Sequence, residues 1–198
     1  MQIQRVVTNG TFSLDGGTWD VDNNVWLIGD DEELIVIDAA HDATKIVEAI
    51  AGRRTIAIIL THGHNDHINA ATALRDATNA PIWMNPADQM LWHAEYPGTN
   101  PDHQLDDGTT FEIAGTTLTA IHTPGHSPGS TSLYAEGHVF TGDTLFHGGP
   151  GATGRSYSDK PTILASIRER LLTLPGETVV HTGHGDTTTI EAERENVS

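Results

Sequence analysis

One short segment of the sequence, THGHNDH at residues 61–67, holds four side chains that can bind a metal ion. It follows a continuous apolar and β-branched run at residues 55–60, which is typical of a buried strand. It precedes a helical pattern at residues 68–78. A buried strand that leads through a short turn into a helix is one unit of a layered α/β domain. The four candidate ligands are His62, His64, Asp66 and His67.

The spacing within this segment suits metal binding. In an extended backbone, side chains two residues apart point to the same side, so His62 and His64 lie together. Asp66 and His67 then fall at the start of the helix, where a carboxylate also gains from the helix dipole. The alternative is a solvated turn in which Asp66 only caps the helix. Three histidines and one aspartate directly after a β-run favour the metal site, and so dense a cluster can supply two neighbouring ions.

Three further candidate ligands each follow a predicted strand and lie beside glycine. They are His126 in TPGHSPG, Asp143 in TGDT and His184 in TGHGD, after strands that end near residues 121, 141 and 181. Loops at strand ends meet at one edge of a layered α/β fold, where sites are usually built. We therefore expect these side chains to join the first four at one site.

The remaining pattern predicts a single α/β domain with mixed sheets, covering residues 1–198. Apolar runs at residues 25–28 and 34–37 flank a Gly-Asp-Asp-Glu turn and predict a hairpin. The glycine-rich loop at 147–158 is expected to be mobile, and the charged tail from residue 190 is expected to fray. Helices are predicted at residues 43–51, 68–78, 86–92 and 161–172, and further strands at 81–84, 111–113, 117–121, 131–134, 139–141 and 178–181.

The composition argues against several classes of function. Asp and Glu number 27 against 10 Lys and Arg, and the formal net charge of −17 disfavours nucleic-acid and anionic-membrane partners. The absence of cysteine removes disulfides, thiolate nucleophiles, Cys-type zinc sites and iron–sulfur clusters. No apolar run approaches the ~18–20 residues that span a bilayer, and the first residues lack the apolar region of a secretory signal. We expect a cytoplasmic protein with a small-molecule substrate.

The HxHxDH motif, together with the three later ligands, resembles the metallo-β-lactamase superfamily over nearly the whole chain. The resemblance implies an α/β fold in which an αββα sandwich of two mixed sheets carries metals at one edge. It also implies two divalent metal ions, with Zn²⁺ expected first and Fe or Mn as alternatives. The implied ligands are His62, His64 and His126 for the first metal, Asp66, His67 and His184 for the second, and Asp143 as the bridge.

Within this superfamily, the strings GDTLF at 142–146 and TPGHSPGS at 123–130 are most similar to the glyoxalase II branch, which hydrolyses thioesters of glutathione. A β-lactamase role is not expected, because the chain lacks the Cys of many β-lactamase sites and has the bridging Asp143 that the Cys-free ones lack. The resemblance implies hydrolysis of a thioester of a low-molecular-weight thiol by a metal-bridging hydroxide. Asp66 is the expected catalytic residue, since as a ligand facing the water it can orient it.

The chain departs from the glyoxalase II pattern in two places. It ends soon after His184, without the helical domain that helps that branch to hold glutathione. Its loop at 147–159 is longer than usual, but Arg155 and Tyr157 have the spacing of the basic residue and the tyrosine that hold the glycine end of glutathione. Arg155 and Tyr157 are therefore the expected substrate-binding residues, and the thiol carrier can differ from glutathione.

Other interpretations stay open. A persulfide dioxygenase-like enzyme would hold one iron with His62, His126 and Asp143. Another hydrolase of the superfamily, a lactonase or a phosphodiesterase, and a non-catalytic metal-binding module are further alternatives.

Two apparent motifs are rejected. The GHSPG string matches the nucleophile elbow, but the residue after the serine is Pro128, which has no N–H for an oxyanion hole. The glycine-rich string at 149–156 resembles a phosphate-binding loop, yet the next helix starts later than that motif requires. The seven remaining histidines are expected to be surface or satisfied polar residues: His41, His93, His103, His122, His138, His147 and His181.

Overall fold

Two six-stranded β-sheets lie face to face in the computed structural model, which describes residues 1–197. The strands of the first sheet, in spatial order, are β1 (Gln2–Leu14), β2 (Gly17–Gly29), β3 (Glu33–Ile37), β4 (Arg54–Leu60), β5 (Ile82–Met84) and β6 (His103–Gln104). The second sheet contains β7 (Thr110–Ile113), β8 (Thr116–His122), β9 (Thr131–Ala135), β10 (His138–Gly142), β13 (Val179–Thr182) and β14 (Thr188–Thr189), in the spatial order β14-β13-β10-β9-β8-β7.

Helices cover the outer faces of both sheets. The short strands β11 (Leu145–Phe146) and β12 (Gly149–Pro150) form a separate pair beside the second sheet. The helices are α1 (Ala43–Ile50), α2 (Asn65–Ile68), α3 (Ala71–Thr78), α4 (Gln89–Glu95), α5 (Lys160–Ser166) and α6 (Ile190–Glu193). A π-helical turn, Ile167–Leu171, continues α5. Among residues 1–197, no helix is both long and apolar enough to cross a membrane.

The alternation of side chains along the central strands builds the layers. Leu34 and Val36 of β3 pack in the cluster that includes α1 and α3, whereas Ile35 and Ile37 pack in the cluster that includes Leu133 and Phe140 of the second sheet. Because β3 is buried on both faces, its sequence is a continuous apolar run. A third cluster joins the outer face of the second sheet to α5. This layer order confirms the predicted sandwich of two mixed sheets flanked by helices.

The long N-terminal hairpin of β1 and β2 was not among the predicted elements, whereas the hairpin predicted at residues 25–28 and 34–37 is confirmed as the antiparallel pairing of β2 with β3. β1 and β2 pair without a register shift from Gln2↔Gly29 to Leu14↔Gly17. The two turn residues between them, Asp15 and Gly16, have positive φ angles of 53° and 77°, as in the tight hairpin turn that Asp-Gly favours. The outer half of this hairpin is largely exposed. It still carries local signals of a hairpin that the predicted elements left out, since Phe12 and Leu14 before the turn and Trp19 and Val21 after it alternate with polar residues.

Two helical predictions differ in detail. The predicted helix at 68–78 is two helices. α2 begins earlier, at Asn65, and ends at Ile68, and α3 begins at Ala71. Asp66 and His67 therefore lie within α2, where backbone geometry fixes their directions. The helix predicted at 161–172 is α5 followed by the π-helical turn.

The expectation that the tail from residue 190 frays is wrong. α6 begins at Ile190, and both Ile190 and Val197 are buried in the third cluster. Glu193 is buried as well and accepts hydrogen bonds from Thr188 Oγ1 at 2.6 Å and from the Gly148 amide at 3.0 Å. Ile190 and Val197, through apolar packing, and Glu193, through its hydrogen bonds, thus hold the C-terminal segment in place although it is rich in charged residues.

Truncation of Phe140, which is fully buried between the two sheets, tests this packing. We expect Phe140→Ala to lower the free energy of unfolding by about 3–5 kcal/mol, because the variant buries less apolar surface and leaves a cavity between the sheets. Val47→Ala, at an exposed position on α1, is the matched control and should change it by less than about 0.5 kcal/mol. Denaturant unfolding of both variants measures the difference, and equal losses would contradict the assigned layers.

Candidate metal centre

Seven polar side chains meet where strands of both sheets end. His62 and His64 follow β4, and Asp66 and His67 lie in α2, the next element along the chain. The other three come from the second sheet and its loops: His126 between β8 and β9, Asp143 directly after β10, and His184 two residues after β13. The structure therefore brings together all seven side chains that the sequence singled out, in three groups whose donor atoms lie within 4.8 Å of one another.

Three histidines form the first group. The Nδ1 atom of His64 lies 3.0 Å from His62 Nε2 and 3.0 Å from His126 Nε2. All three side chains are buried. Their ring nitrogens thus converge on one point from two loops of the chain.

The second group combines histidine and aspartate. His67 Nε2 and His184 Nε2 are 3.3 Å apart, and each lies 3.4 Å from Asp66 Oδ2. Asp143 lies between the two groups. Its Oδ2 is 3.5 Å from His126 Nε2 and 3.3 Å from His184 Nε2, and its Oδ1 is 3.3 Å from His67 Nε2.

Hydrogen bonds on the far side of the imidazoles orient four of the five rings. The outer partners are Thr61 Oγ1 for His62 Nδ1 (3.1 Å), Asp38 Oδ2 for His67 Nδ1 (2.9 Å), the Ala152 carbonyl for His126 Nδ1 (2.8 Å) and the Asp22 carbonyl for His184 Nδ1 (2.7 Å). An imidazole that donates from Nδ1 keeps the lone pair of Nε2 free for the interior of the site.

Asp38, which the sequence reading did not single out, holds two elements of the site. It follows β3, is buried, and accepts hydrogen bonds from the Thr61 amide and hydroxyl at 2.8 Å each, besides that from His67. Its φ of 60° lies in the left-handed region, which aspartate tolerates better than most residues. The signal was an acidic residue directly after a buried apolar run.

Burial favours the neutral form of two histidines in the first group, His62 and His64. Desolvation, with the neighbouring imidazoles His67 and His64, lowers the pKa of His62 well below its usual value. Desolvation and the nearby His126 lower the pKa of His64 to about 3. Neutral imidazole is the form that binds a metal, so His62 and His64 can bind a cation near neutral pH without first losing a proton.

The second group carries the opposite shifts. Burial alone would lower the pKa of His184, but Asp143 and Asp66 outweigh it and raise that pKa to about 10. The pKa of His67 is raised for the same reason, by Asp143, Asp66 and Asp38 against burial. Burial raises the pKa of Asp66, yet His67 and a hydrogen bond from His184 lower it to about 2. These carboxylates need positive charge, which protons supply when no metal does.

The donor atoms fit two metal ions. Ligands at the 2.0–2.1 Å distances typical of Zn²⁺ in tetrahedral geometry are about 3.3 Å apart, close to the 3.0–3.5 Å separations described above. Two buried polar atoms have no hydrogen-bond partner: Asp143 Oδ1, which lies between the two groups, and His64 Nε2, on the far side of its ring from the other histidines. A bridging cation would satisfy the first of them, and imidazole with carboxylate suits zinc, iron or manganese.

A cavity of about 340 Å³ opens onto this centre. Its lining includes five of the seven candidate ligands, and its outer wall includes Phe12 and Trp19 from the N-terminal hairpin. The guanidinium of Arg155, also in the lining, lies over the Trp19 ring at 3.8 Å and over the Phe12 ring at 5.5 Å. Tyr157 does not line the cavity, and about half of its side chain is exposed. The structure thus brings Arg155 to the site but leaves Tyr157 outside it.

The structure agrees with the rejection of the nucleophile elbow and of the phosphate-binding loop. Ser127 of GHSPG is fully buried and donates to Asp88 Oδ2 at 2.6 Å, so it is not exposed as an elbow nucleophile is. The glycine-rich string at 149–156 precedes a helix that begins only at Lys160.

Among the other histidines, the expectation of a surface or satisfied residue is wrong for His181, which is buried with an unpartnered Nδ1.

Comparisons with known proteins agree with this geometry. The family model described as the metallo-β-lactamase superfamily matches residues 18–184. The hydroxyacylglutathione hydrolase GloC of Haemophilus influenzae is 33% identical over 189 residues, which span 86% of this chain and 89% of the relative.

Three solved structures are similar in both fold and sequence. BLEG-1, described as a B3 metallo-β-lactamase, is 31% identical with a TM-score of 0.79 and covers 95% of this chain and 97% of its own. TTHA1623 in a di-iron-bound form is 31% identical with a TM-score of 0.76, covering 89% and 94%. ETHE1 from Myxococcus xanthus is 26% identical with a TM-score of 0.79, covering 99% and 83%.

The raised pKa of His184 predicts how the stability of metal-free protein depends on pH. Histidine in the unfolded chain has a pKa near 6.5. Because folded His184 holds its proton more tightly, the folded state gains its full stabilisation below about pH 6.5, where both states are protonated. That stabilisation is lost as the pH rises towards about 10. We expect the Tm of the EDTA-treated protein to fall between about pH 7 and about pH 10. The fall should be smaller in His184→Gln, and parallel Tm profiles for the two proteins would contradict the prediction.

Proposed function

Since the chain belongs to the metallo-β-lactamase superfamily, we propose that it is a dinuclear metallohydrolase that cleaves thioesters of a low-molecular-weight thiol. The observation that carries the proposal is the pair of three-donor groups with Asp143 between them, at the floor of an open cavity. The similarity to a hydroxyacylglutathione hydrolase supports the substrate class. One ion would be held by His62, His64 and His126, the other by Asp66, His67 and His184, and both by Asp143.

Two divalent ions in this centre would lower the pKa of a shared water, so that hydroxide is available near neutral pH. Asp66 is the residue placed to orient that water, because its carboxylate lines the cavity. Its Oδ2 accepts a hydrogen bond from Asn23 Nδ2 at 3.0 Å, which fixes the direction of the carboxylate. Asp66 therefore acts as both ligand and orienting group.

The lining of the cavity also suits a thiol as the leaving group. Apart from the candidate ligands, the only titratable side chain among the described lining residues is Arg155. No carboxylic acid is thus free to protonate a leaving group. A thiolate leaves without that help, whereas the amine of an amide does not.

Arg155 is placed to bind the thiol carrier. In the part of the chain that the structure describes, no carboxylate lies within salt-bridge distance of its guanidinium. Stacking on Trp19 holds the planar group while its N–H edges stay available for an anion. Trp19 therefore supports Arg155, whereas Tyr157, the other expected substrate-binding residue, is not among the residues that line the cavity. A carboxylate or phosphate on the carrier is the ligand that this arrangement would take.

A second candidate function uses one iron. Two histidines and one carboxylate are the ligand set of non-haem iron oxygenases. His62, His126 and Asp143 could form such a set, since Asp143 Oδ2 is 3.5 Å from His126 Nε2 and Asp143 also groups with His62. A persulfide dioxygenase-like reaction is therefore the alternative that the experiment must separate.

Metal analysis combined with a substrate panel decides between these functions. We expect nearly two metal ions per chain in gently purified protein, thioester hydrolysis without oxygen uptake, and loss of both the second ion and the activity in His184→Ala. The panel contains acyl thioesters of several thiols, a persulfide, a β-lactam, a lactone and a phosphodiester. One iron per chain with persulfide-dependent oxygen uptake would overturn the proposal, as would turnover confined to one of the last three substrates.

Truncation of Arg155 tests the proposed carrier site. We expect Arg155→Ala to raise KM for the best thioester by about tenfold or more, the effect of losing charge-assisted hydrogen bonds, while kcat and metal content stay near wild type. Lys45→Ala removes the same charge at an exposed position on α1 and should leave KM unchanged. Tyr157→Phe should also have little effect. Wild-type kinetics in Arg155→Ala would show that the arginine does not bind the carrier.

A further inference from the structure

Asp88 is a buried carboxylate that neither the metal ligands nor the proposed reaction uses. It ends the 3₁₀ turn Pro86–Asp88, which follows β5 and leads into α4. Its side chain is completely buried. Among the described residues, no Lys, Arg or His lies within salt-bridge distance of it.

Three hydrogen-bond donors surround this carboxylate. Oδ2 accepts from the Gly63 amide at 2.8 Å and from Ser127 Oγ at 2.6 Å. Oδ1 accepts from the Gly129 amide at 2.6 Å. Burying an ionised carboxylate without a counter-charge is costly, and burial raises the pKa of Asp88. The three donors offset that cost only while all of them stay in place.

The donors belong to two loops that carry metal ligands. Gly63 lies between His62 and His64, whereas Ser127 and Gly129 directly follow His126 in the loop between β8 and β9. One side chain therefore links the backbone that presents two histidines to the backbone that presents the third.

The two glycines allow this close approach. A Cβ atom on Gly129 would lie 2.6 Å from Asp88 Cγ, and one on Gly63 would lie 3.0 Å from Asp88 Cβ. The 2.6 Å distance is too short for a side chain at residue 129, and at residue 63 a Cβ atom would also lie 2.9 Å from Leu91 Cβ, which is too short as well. The backbone on both sides thus leaves space for the carboxylate and for nothing larger.

The second ligand group is held by other residues. His67 is oriented by Asp38, Asp66 by Asn23, and His184 by the Asp22 carbonyl. Asp88 contacts none of these three ligands through a hydrogen bond. Its influence is therefore confined to one half of the centre.

We propose that Asp88 is a positioning residue for the three-histidine group: it sets the separation between the loop of His62 and His64 and the loop of His126. The inference rests on the metal centre of the proposed function, but not on the thioester substrate. Loss of the carboxylate should weaken the first metal site selectively.

Metal titration tests the selectivity. Metal-free Asp88→Asn is titrated with Zn²⁺ by calorimetry, after His126→Ala and His184→Ala have assigned the two binding steps of the wild type. Replacing a residue that orients ligands typically costs 10- to 100-fold in metal affinity. We expect a loss of about that size at the first site and an unchanged second site. Asp38→Asn is the matched control and should weaken the second site more, because it orients His67.

The metal-free protein gives an independent readout. In Asp88→Asn, the amide protons of Gly63 and Gly129 should shift in the NMR spectrum and exchange faster with solvent, while the Asn24 amide, which donates to the Gly183 carbonyl, should not change. If Asp88→Asn does not fold, Ser127→Ala removes one of the three donors and keeps the carboxylate. It should weaken the first site in the same direction by a smaller factor.

Five outcomes are distinguishable. Selective loss at the first site supports the positioning role. Equal loss at both sites, or an unchanged first site, overturns it. A wild type that binds no Zn²⁺ overturns both this inference and the proposed metal centre, whereas Zn²⁺ binding without thioester turnover overturns the proposed function alone.

Discussion

The concentration of buried carboxylates at one edge of the sandwich is the constraint on which the rest of the structure depends. Asp38, Asp66 and Asp143 are brought within a few ångströms of His67. So much negative charge in a dry environment requires positive charge beside it. The raised pKa values of His67 and His184 express that demand in the metal-free molecule, since both histidines hold a proton beside these carboxylates.

The fold meets this demand by distributing the ligands over both sheets. β4 delivers its ligands at the end of a strand buried on both faces, and the parallel pair β10 and β13 delivers Asp143 and His184 at neighbouring strand ends. The loops are then tied to one another by polar side chains and not by apolar packing. Asp38 joins Thr61 to His67, and Asp88 joins the Gly63 and Gly129 amides. Asp38 therefore supports His67 directly and His62 through Thr61, whereas Asp88 links only the two loops of the three-histidine group.

The sequence predicted the layered fold and the seven-residue cluster well, because both depend on local patterns. Apolar runs such as 34–37 identify strands that are buried on two faces, and ligands such as His126 lie beside glycine at strand ends. The anchored α6 and the place of Tyr157 were not predictable in the same way. They depend on contacts between distant segments, such as Glu193 with the Gly148 amide, for which a single sequence has no local signal.

The N-terminal hairpin separates recognition from chemistry along the chain. Its tip reaches the glycine-rich loop, where Asp15 Oδ2 accepts a hydrogen bond from the Ser156 amide at 2.9 Å. Phe12 and Trp19 form part of the cavity wall, yet none of the seven candidate ligands lies in β1 or β2. Substitution of Trp19 can therefore reshape the cavity wall, whereas the Asp22 carbonyl and Asn23, deeper in the same hairpin, hold His184 and Asp66 in place. In related proteins, changes in this part of the hairpin are a route by which substrate range can diverge while the set of metal ligands is inherited unchanged.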